Sequence, residues 1–268
     1  MKDGKNTLSL SVNRVSHSAI KDYQACPLLF LYRKVLQLEL PTTSIHLHFG
    51  KALHLGLEKY ELLKEDPKKV FLKAFTQDEL DENDKRRFVE FSQTGVKMLQ
   101  QYISTAKERN WKVTAAESKI VAKDIEKPAK LLFSELSGVI DFETDDGSIG
   151  DYKTSSHKYK QQEVDESLQP TFYYLLKYIH EGKLPKRFIY VVFNKKRKRD
   201  MIQVLETHRT MKDIVKLIHL MNNIHEKVEK QMFSRLHGEK EYCDCFKYEE
   251  MLNTKNYVEI GSREMVFN

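Results

Sequence analysis

The stretch "GVIDFETDDGSIGDYKTS", residues Gly138 to Ser155, places five carboxylates and one lysine in what its turn residues mark as a β-hairpin. Asp151 and Lys153 are two apart, so on a strand they project from one face. The turn decides whether Asp141 joins them. A two-residue Asp146-Gly147 loop sets Asp141 opposite Tyr152, on the wrong face. A three-residue loop, Asp145-Asp146-Gly147 with Gly147 left-handed, sets it opposite Asp151. That register also sorts the apolar residues, with Ile140, Phe142 and Tyr152 on one side and Asp141, Asp151 and Lys153 on the other, and it is the expected one. Two carboxylates on adjacent strands repel unless a cation lies between them, and oxygen ligands favour Mg²⁺ or Mn²⁺. Parity alone leaves a solvated acidic hairpin, with Lys153 as surface counter-charge, as the alternative.

Upstream of the hairpin the pattern is helical. "SHSAIKDYQACPLLFLYRKVL" reads as one amphipathic helix capped by Ser16 or Ser18, and "HFGKALHLGLEKYELLKE" as a second closed by Pro67. Residues 67–80 and 84–109 read as two more. Around and after the hairpin the period shortens. "KVTAAESKIVAKD", "LLFSELSGVIDFETD" and "SIGDYKTS" read as strands, "DESLQPTFYYLLKYIH" as a helix, and "RFIYVVFN" and "MIQVLETH" as strands. A helix over 211–233 and a polar tail bearing two cysteines follow. The expected architecture is mixed α/β, one compact unit with a helical region over 1–110 and a sheet-bearing core over 111–268.

The chain has 268 residues, with 45 Lys and Arg against 39 Asp and Glu, a net charge of +6. This suits an anionic partner without singling out nucleic acid. No leader-like or membrane-length apolar run occurs, so a soluble, cytoplasmic protein is expected, or a nuclear one if the source is a eukaryote or its virus. Three cysteines, Cys26, Cys243 and Cys245, fit free thiols or metal ligands. There is no Walker-type phosphate loop, so a nucleotide-driven motor would be another chain.

Asp141 followed by Asp151-Tyr152-Lys153 resembles the PD-(D/E)XK nuclease superfamily, in particular its RecB-like branch. Four further stretches carry the likeness in order: "SHSAIKDYQACPLLFLYR" with its Cys-Pro, "FGKALHLGLEKY" with glycine and histidine four apart, the acidic strand "AESKI", and "QPTFYY" with its glutamine-x-x-x-tyrosine spacing. The likeness spans about residues 16–180. It implies a restriction-endonuclease-like mixed sheet flanked by helices. It further implies a Mg²⁺ or Mn²⁺ ion held by Asp141, Asp151, the Tyr152 backbone carbonyl and His54, whose imidazole suits Mn²⁺ better than Mg²⁺. Lys153 would orient or deprotonate the attacking water or stabilise the transition state, and Glu117 would hold a water of the metal shell or stand exposed. Gln169 and Tyr173, on one helix face, would contact phosphate and base.

Many nucleases of this branch carry a four-iron cluster on one cysteine near the N-terminal helix, a position matched here by Cys26, and three near the C-terminus. With three cysteines in the chain, an all-cysteine cluster within it is excluded by counting. A zinc site of Cys26, Cys243, Cys245 and His237 is the remaining form, against a tail held by packing alone, and in either case the tail is expected to return to Cys26. In "FNKKRKRD", Lys195, Lys196, Arg197, Lys198 and Arg199 repel one another at a hairpin tip, so a DNA-backbone contact is expected there. The function implied is a metal-dependent DNA nuclease, an exonuclease or one directed to single strands or ends, in repair, recombination or defence, working with a separate helicase or recombination protein. The alternatives are a duplex-cleaving restriction-like endonuclease and an inactive nuclease-like DNA-binding subunit.

Overall fold

The acidic hairpin closes in the three-residue register. Phe142 pairs with Gly150 and Glu143 with Ile149, which sets Asp141 opposite Asp151. The Thr144 N–H donates to the Ser148 carbonyl at 3.0 Å, and Gly147 takes φ +80°. These contacts come from a computed structural model that describes residues 12–40, 44–78, 80–236 and 243–253.

The elements, in chain order, are β1 (Arg14–Val15), α1 (His17–Ala25), α2 (Pro27–Phe30) running into a π-helical turn over Leu31–Val35, α3 (Ile45–Leu63), α4 (Pro67–Ala74), α5 (Glu82–Lys85), α6 (Phe88–Glu108), β2 (Val113–Lys123), β3 (Glu135–Thr144), β4 (Ile149–Ser155), α7 (Gln161–Glu166), α8 (Leu168–Glu181), β5 (Phe188–Asn194), β6 (Ile202–Thr207), α9 (Met211–Glu229) and α10 (Cys245–Asn253). The sheet is mixed. β4 and β5 run parallel, while β2–β3, β3–β4 and β5–β6 are antiparallel. β1 pairs in parallel with the start of β3, on the edge that β4 occupies at its end.

Helices cover both faces. Ile20 of α1, Phe172 and Leu176 of α8 and Ile218 of α9 pack on Phe188, Tyr190 and Val192 of β5. Phe49 and Leu53 of α3, Phe71 of α4 and Leu99 of α6 pack on Ile189, Val191 and Phe193. β5 is therefore buried on both sides, which explains its unbroken apolar run. The restriction-endonuclease-like arrangement of a mixed sheet between helices is what the molecule adopts.

Four sequence expectations need correction. Ile140 does not share a face with Phe142 and Tyr152; it packs with Phe172 and Leu176 on the α8 side, while the other two face α3 and α6. The cause lies in β2, where Glu117 has φ +50°. Ala116 pairs with Phe142 and Ser118 with Ile140, so Glu117 faces Asp141, and its left-handed conformation turns both strands over at that point. The single helix expected over residues 16–36 breaks at Cys26, which is extended (φ −165°, ψ 111°) because it precedes Pro27. Ser16 caps α1 as expected. The helices expected over 67–80 and 84–109 are shorter, ending at Ala74 and starting at Phe88. The N-terminal region also contributes β1, and the tail forms α10.

Gly150 is required where it stands. A Cβ there would come within 2.1 Å of the Phe142 ring and 2.6 Å of the Ile189 carbonyl, so only glycine lets Phe142 lie across β4 beside Asp151. Among the described residues no helix is long and apolar enough to cross a membrane.

Candidate active site

β3 and β4 part company just past Phe142 and Gly150. In place of the next ladder bond, the Asp141 carboxylate accepts the Tyr152 N–H at 2.7 Å. From the other side α3 delivers His54, whose Nε2 lies 2.9 Å from the Tyr152 carbonyl. A carbonyl only accepts, so Nε2 carries the proton and Nδ1 presents its lone pair. Burial lowers the His54 pKa, which keeps the ring neutral despite nearby Asp151.

That lone pair points into a group of acceptors. Nδ1 is 3.4 Å from Asp141 Oδ2 and 4.0 Å from Glu117 Oε1, and the three ligand atoms lie within 4.8 Å of one another. Burial, then the Asp151 charge, raises the Asp141 pKa well above the usual carboxylate range. Burial, then Glu58 and Asp151, raises that of Glu117. The group holds acceptors and no donor among its three ligand atoms, so a proton or a cation relieves it. One nitrogen and two carboxylates suit Mn²⁺ or Mg²⁺. Asp151, buried beside them, is held in an ion pair with Lys153.

Asp151 sits differently from Asp141. Its Oδ2 lies 2.6 Å from Lys153 Nζ, and its Oδ1 accepts from Gln169 Nε2 at 2.5 Å. Burial opposes the charge on Lys153, but the Asp151 carboxylate outweighs it and holds the ammonium above the ordinary lysine range. Asp141 and Asp151 are thus adjacent, as expected, yet Asp151 stands outside the tight group of His54, Glu117 and Asp141.

Gln169 and Tyr173 share one face of α8, where the helix was expected to put them. Ser167 caps α8 and leaves both side chains buried. Gln169 donates to Asp151 and to the Tyr173 hydroxyl and accepts from the Tyr190 hydroxyl at 3.2 Å, while the Tyr173 ring stacks on Phe188. Gln169, bonded to the Tyr173 and Tyr190 hydroxyls, fixes the Asp151 carboxylate. The basic turn between β5 and β6 divides similarly. Lys195 Nζ lies 3.1 Å from His46 Nδ1 and Arg197 pairs with Asp200 at 3.7 Å. Lys196, Lys198 and Arg199 are exposed. The turn begins where the Lys195 N–H meets the Ser155 carbonyl, two residues beyond Lys153.

At the other end of the chain, α10 returns to the first helix, and the three cysteine ligand atoms lie within 4.8 Å of one another. His237, the expected fourth ligand, lies outside the described residues. Burial pushes the Cys245 thiol up to about 12, so a metal there has to displace a proton. Packing of Cys26, Leu29 and Tyr32 against Cys245 and Tyr248 forms a small apolar cluster.

Two partners of the site carried no sequence signal. Glu61 lies two turns along α3 from His54, and Tyr102 projects from α6. The Tyr102 hydroxyl donates to Glu61 Oε1 at 2.7 Å and lies 2.7 Å from the Tyr152 hydroxyl. Tyr152 is therefore gripped at both ends from α3, its carbonyl by His54 and its hydroxyl by Glu61 through Tyr102. Tyr102→Phe should lower stability by about 1–3 kcal/mol, since it strips the buried Glu61 carboxylate of its donor and leaves only Lys64, 3.9 Å away. Burial raises the Glu61 pKa, so the loss is largest at pH values where the carboxylate is ionised. Thermal unfolding of the variant across pH checks this, and an unchanged midpoint would show that the chain of hydroxyls carries no weight.

A family model described as the PD-(D/E)XK nuclease superfamily matches residues 14–247. None of the curated proteins compared with the chain matches it. Among solved structures, a "Putative exonuclease" from Eubacterium rectale is similar over 99% of this chain and 96% of its own, with 13% identity and a TM-score of 0.55. The protein SSO0001, also 13% identical, covers 74% of this chain and 80% of its own, with a TM-score of 0.35. The match over 14–247 includes the split hairpin, the α3 histidine and the α8 glutamine, and by it this chain belongs to the PD-(D/E)XK nuclease superfamily.

Proposed function

We propose that the protein is a divalent-metal-dependent deoxyribonuclease of the RecB-like kind, trimming DNA from ends or along single strands. The observation that carries this reading is the donor-free group of His54 Nδ1, Glu117 and Asp141 beside a charged Lys153. The description of the E. rectale protein agrees with the exonuclease part. His54, Asp141, Glu117 and Asp151 would hold the ion, with the Tyr152 carbonyl at the same edge. A divalent ion supplies an acidified water and neutralises charge on the phosphoryl oxygens.

The chain's own residues do the rest. Lys153, kept protonated by Asp151, serves as a fixed positive charge for the pentacovalent phosphorus rather than as a base. Gln169 and Tyr173 keep the Asp151 carboxylate from turning away. Lys196, Lys198 and Arg199 hold the DNA backbone. Replacing all five cations of that turn should flatten the log-affinity against log-salt plot by roughly 2 units, three contacts at about 0.7 each, because Lys195 and Arg197 are already engaged within the protein. A slope unchanged in filter-binding across salt would make the turn a solvated one.

The function itself is tested by incubating the protein with end-labelled single- and double-stranded DNA in Mg²⁺, Mn²⁺ and EDTA. Ladders shortened from one end, formed with either metal and abolished by EDTA, support the reading. Internal cuts in duplex DNA would replace it with the endonuclease alternative, and intact DNA under every condition would refute it.

A further inference from the structure

Beyond Lys153, on the side away from His54 and Glu117, the molecule has a second recess. It is a cleft of about 350 Å³ between α1, α7 and the first turn of α8. Its walls are partly apolar, with Ile20, Val164 and Leu168 and the ring of Tyr159, and Lys153 stands at its inner end. His17 and Gln24 of α1 also line it; neither side chain makes a hydrogen bond among the described residues, and the His17 ring lies beside Phe172. Burial, then the Lys153 charge, lowers the His17 pKa to about 4, so its ring enters neutral chemistry as one donor and one acceptor. Glu163 and Glu166 of α7 line it and repel phosphate, while Lys21 of α1 also lines it with its side chain exposed to solvent.

These features select what can enter. A phosphodiester at Lys153 sits between the metal-binding group and the cleft, so the nucleotide on one side of the scissile bond is directed into it. The α7 carboxylates keep that nucleotide's phosphate at the Lys153 end. What remains to occupy the space between Val164, Leu168 and the Tyr159 ring is flat, largely apolar and rimmed by polar atoms, as a nucleobase is. A cleft of this volume takes a single nucleotide, and a base reaches it only after leaving its stack and its partner.

We infer that this cleft is a base-binding subsite that receives one unpaired nucleobase flanking the scissile phosphate, and that it makes the enzyme selective for single-stranded DNA. The inference rests on the nuclease reading for its place next to the reaction, but binding can be measured without cleavage. In the metal-free protein, titration with deoxynucleoside 5′-monophosphates and with 2-deoxyribose 5-phosphate separates the base from the sugar phosphate. The nucleotides should bind on the order of tenfold more tightly or better, and Gln24→Trp, an exposed position on α1 that narrows the cleft, should erase the difference. Equal affinity for sugar phosphate and nucleotides overturns the subsite, whether or not the protein cuts DNA. So does an advantage for the nucleotides that Gln24→Trp leaves intact, because the base would then lie elsewhere.

A second arm reads the same site during cleavage. A single abasic nucleotide is walked through an end-labelled single strand, and cutting should slow on the order of tenfold only at the bond it flanks on one side. Uniform cutting at every position counts against the subsite. A protein that cuts nothing while still preferring nucleotides would sink the nuclease reading and leave the cleft standing.

Discussion

Lys153→Ala and Asp151→Asn should each lower the rate of DNA cleavage by about a hundred- to a thousandfold at saturating DNA and metal, with the protein still folded. Among the described residues Lys153 is the one cation within ion-pair distance of Asp151, at 2.6 Å, and Asp151 holds it charged. Removing the lysine deletes the positive charge proposed to meet the reacting phosphate and leaves Asp151 facing Asp141 uncompensated. Removing the aspartate charge leaves an ammonium free to wander and weakens the metal-binding edge. Neither side chain belongs to the apolar clusters that hold the sheet. On the sequence alone Asp151→Asn would be expected to stabilise the metal-free protein, but the Lys153 contact already neutralises that carboxylate. Single-turnover cleavage together with circular dichroism of each variant provides the check. A wild-type rate in either, with the fold retained, would mean that the chemistry happens elsewhere.

The relief of carboxylate repulsion belongs instead to Asp141. Asp141→Asn should raise the metal-free melting temperature and abolish the stabilisation that Mn²⁺ gives the wild type. Its carboxylate is buried, faces Asp151 and Glu117, and keeps its proton to higher pH than an ordinary aspartate. The folded protein therefore binds a proton more tightly than the unfolded chain does. Stability falls as the pH rises from the ordinary carboxylate range through the raised Asp141 value, and is lowest above it. Asparagine keeps an oxygen that accepts the Tyr152 N–H, without the charge. Each kcal/mol so relieved corresponds to roughly 2–4 °C in the melting temperature of a chain this size. Melting curves in EDTA from acid to neutral pH should diverge, with the variant's the flatter. Parallel curves would show that Asp141 is not the strained group.

Much of this site could be read from residue order. Parity and the Asp-Asp-Gly turn were enough to place Asp141 opposite Asp151, because side-chain direction alternates strictly along a regular strand. They failed at Ile140, because the alternation is broken by a left-handed glutamate, a conformation that side-chain type does not announce. The break of the first helix at Cys26 was written in the following proline and was overridden by the apolar periodicity around it. β1, two residues long, has no period to detect. Glu61 and Tyr102 join Tyr152 from helices whose amphipathic pattern marks them only as core-facing, so their contact appears only once α3 and α6 pack. The spacing put Gln169 and Tyr173 on one helix face, but the Gln169 bond to Asp151 was not legible, since a polar pair on a helix face reads the same whether it meets solvent or a buried carboxylate.

The central claim is that α3 and the split hairpin together hold one divalent ion beside Lys153. Anomalous diffraction from crystals loaded with Mn²⁺ tests it most directly. The account predicts a single strong peak within bonding distance of His54 and Asp141, on the Lys153 side of the Tyr152 carbonyl. A peak at the cysteine cluster alone, or Mn²⁺ bound to exposed carboxylates with His54 Nδ1 and Asp141 both uncoordinated, would contradict it.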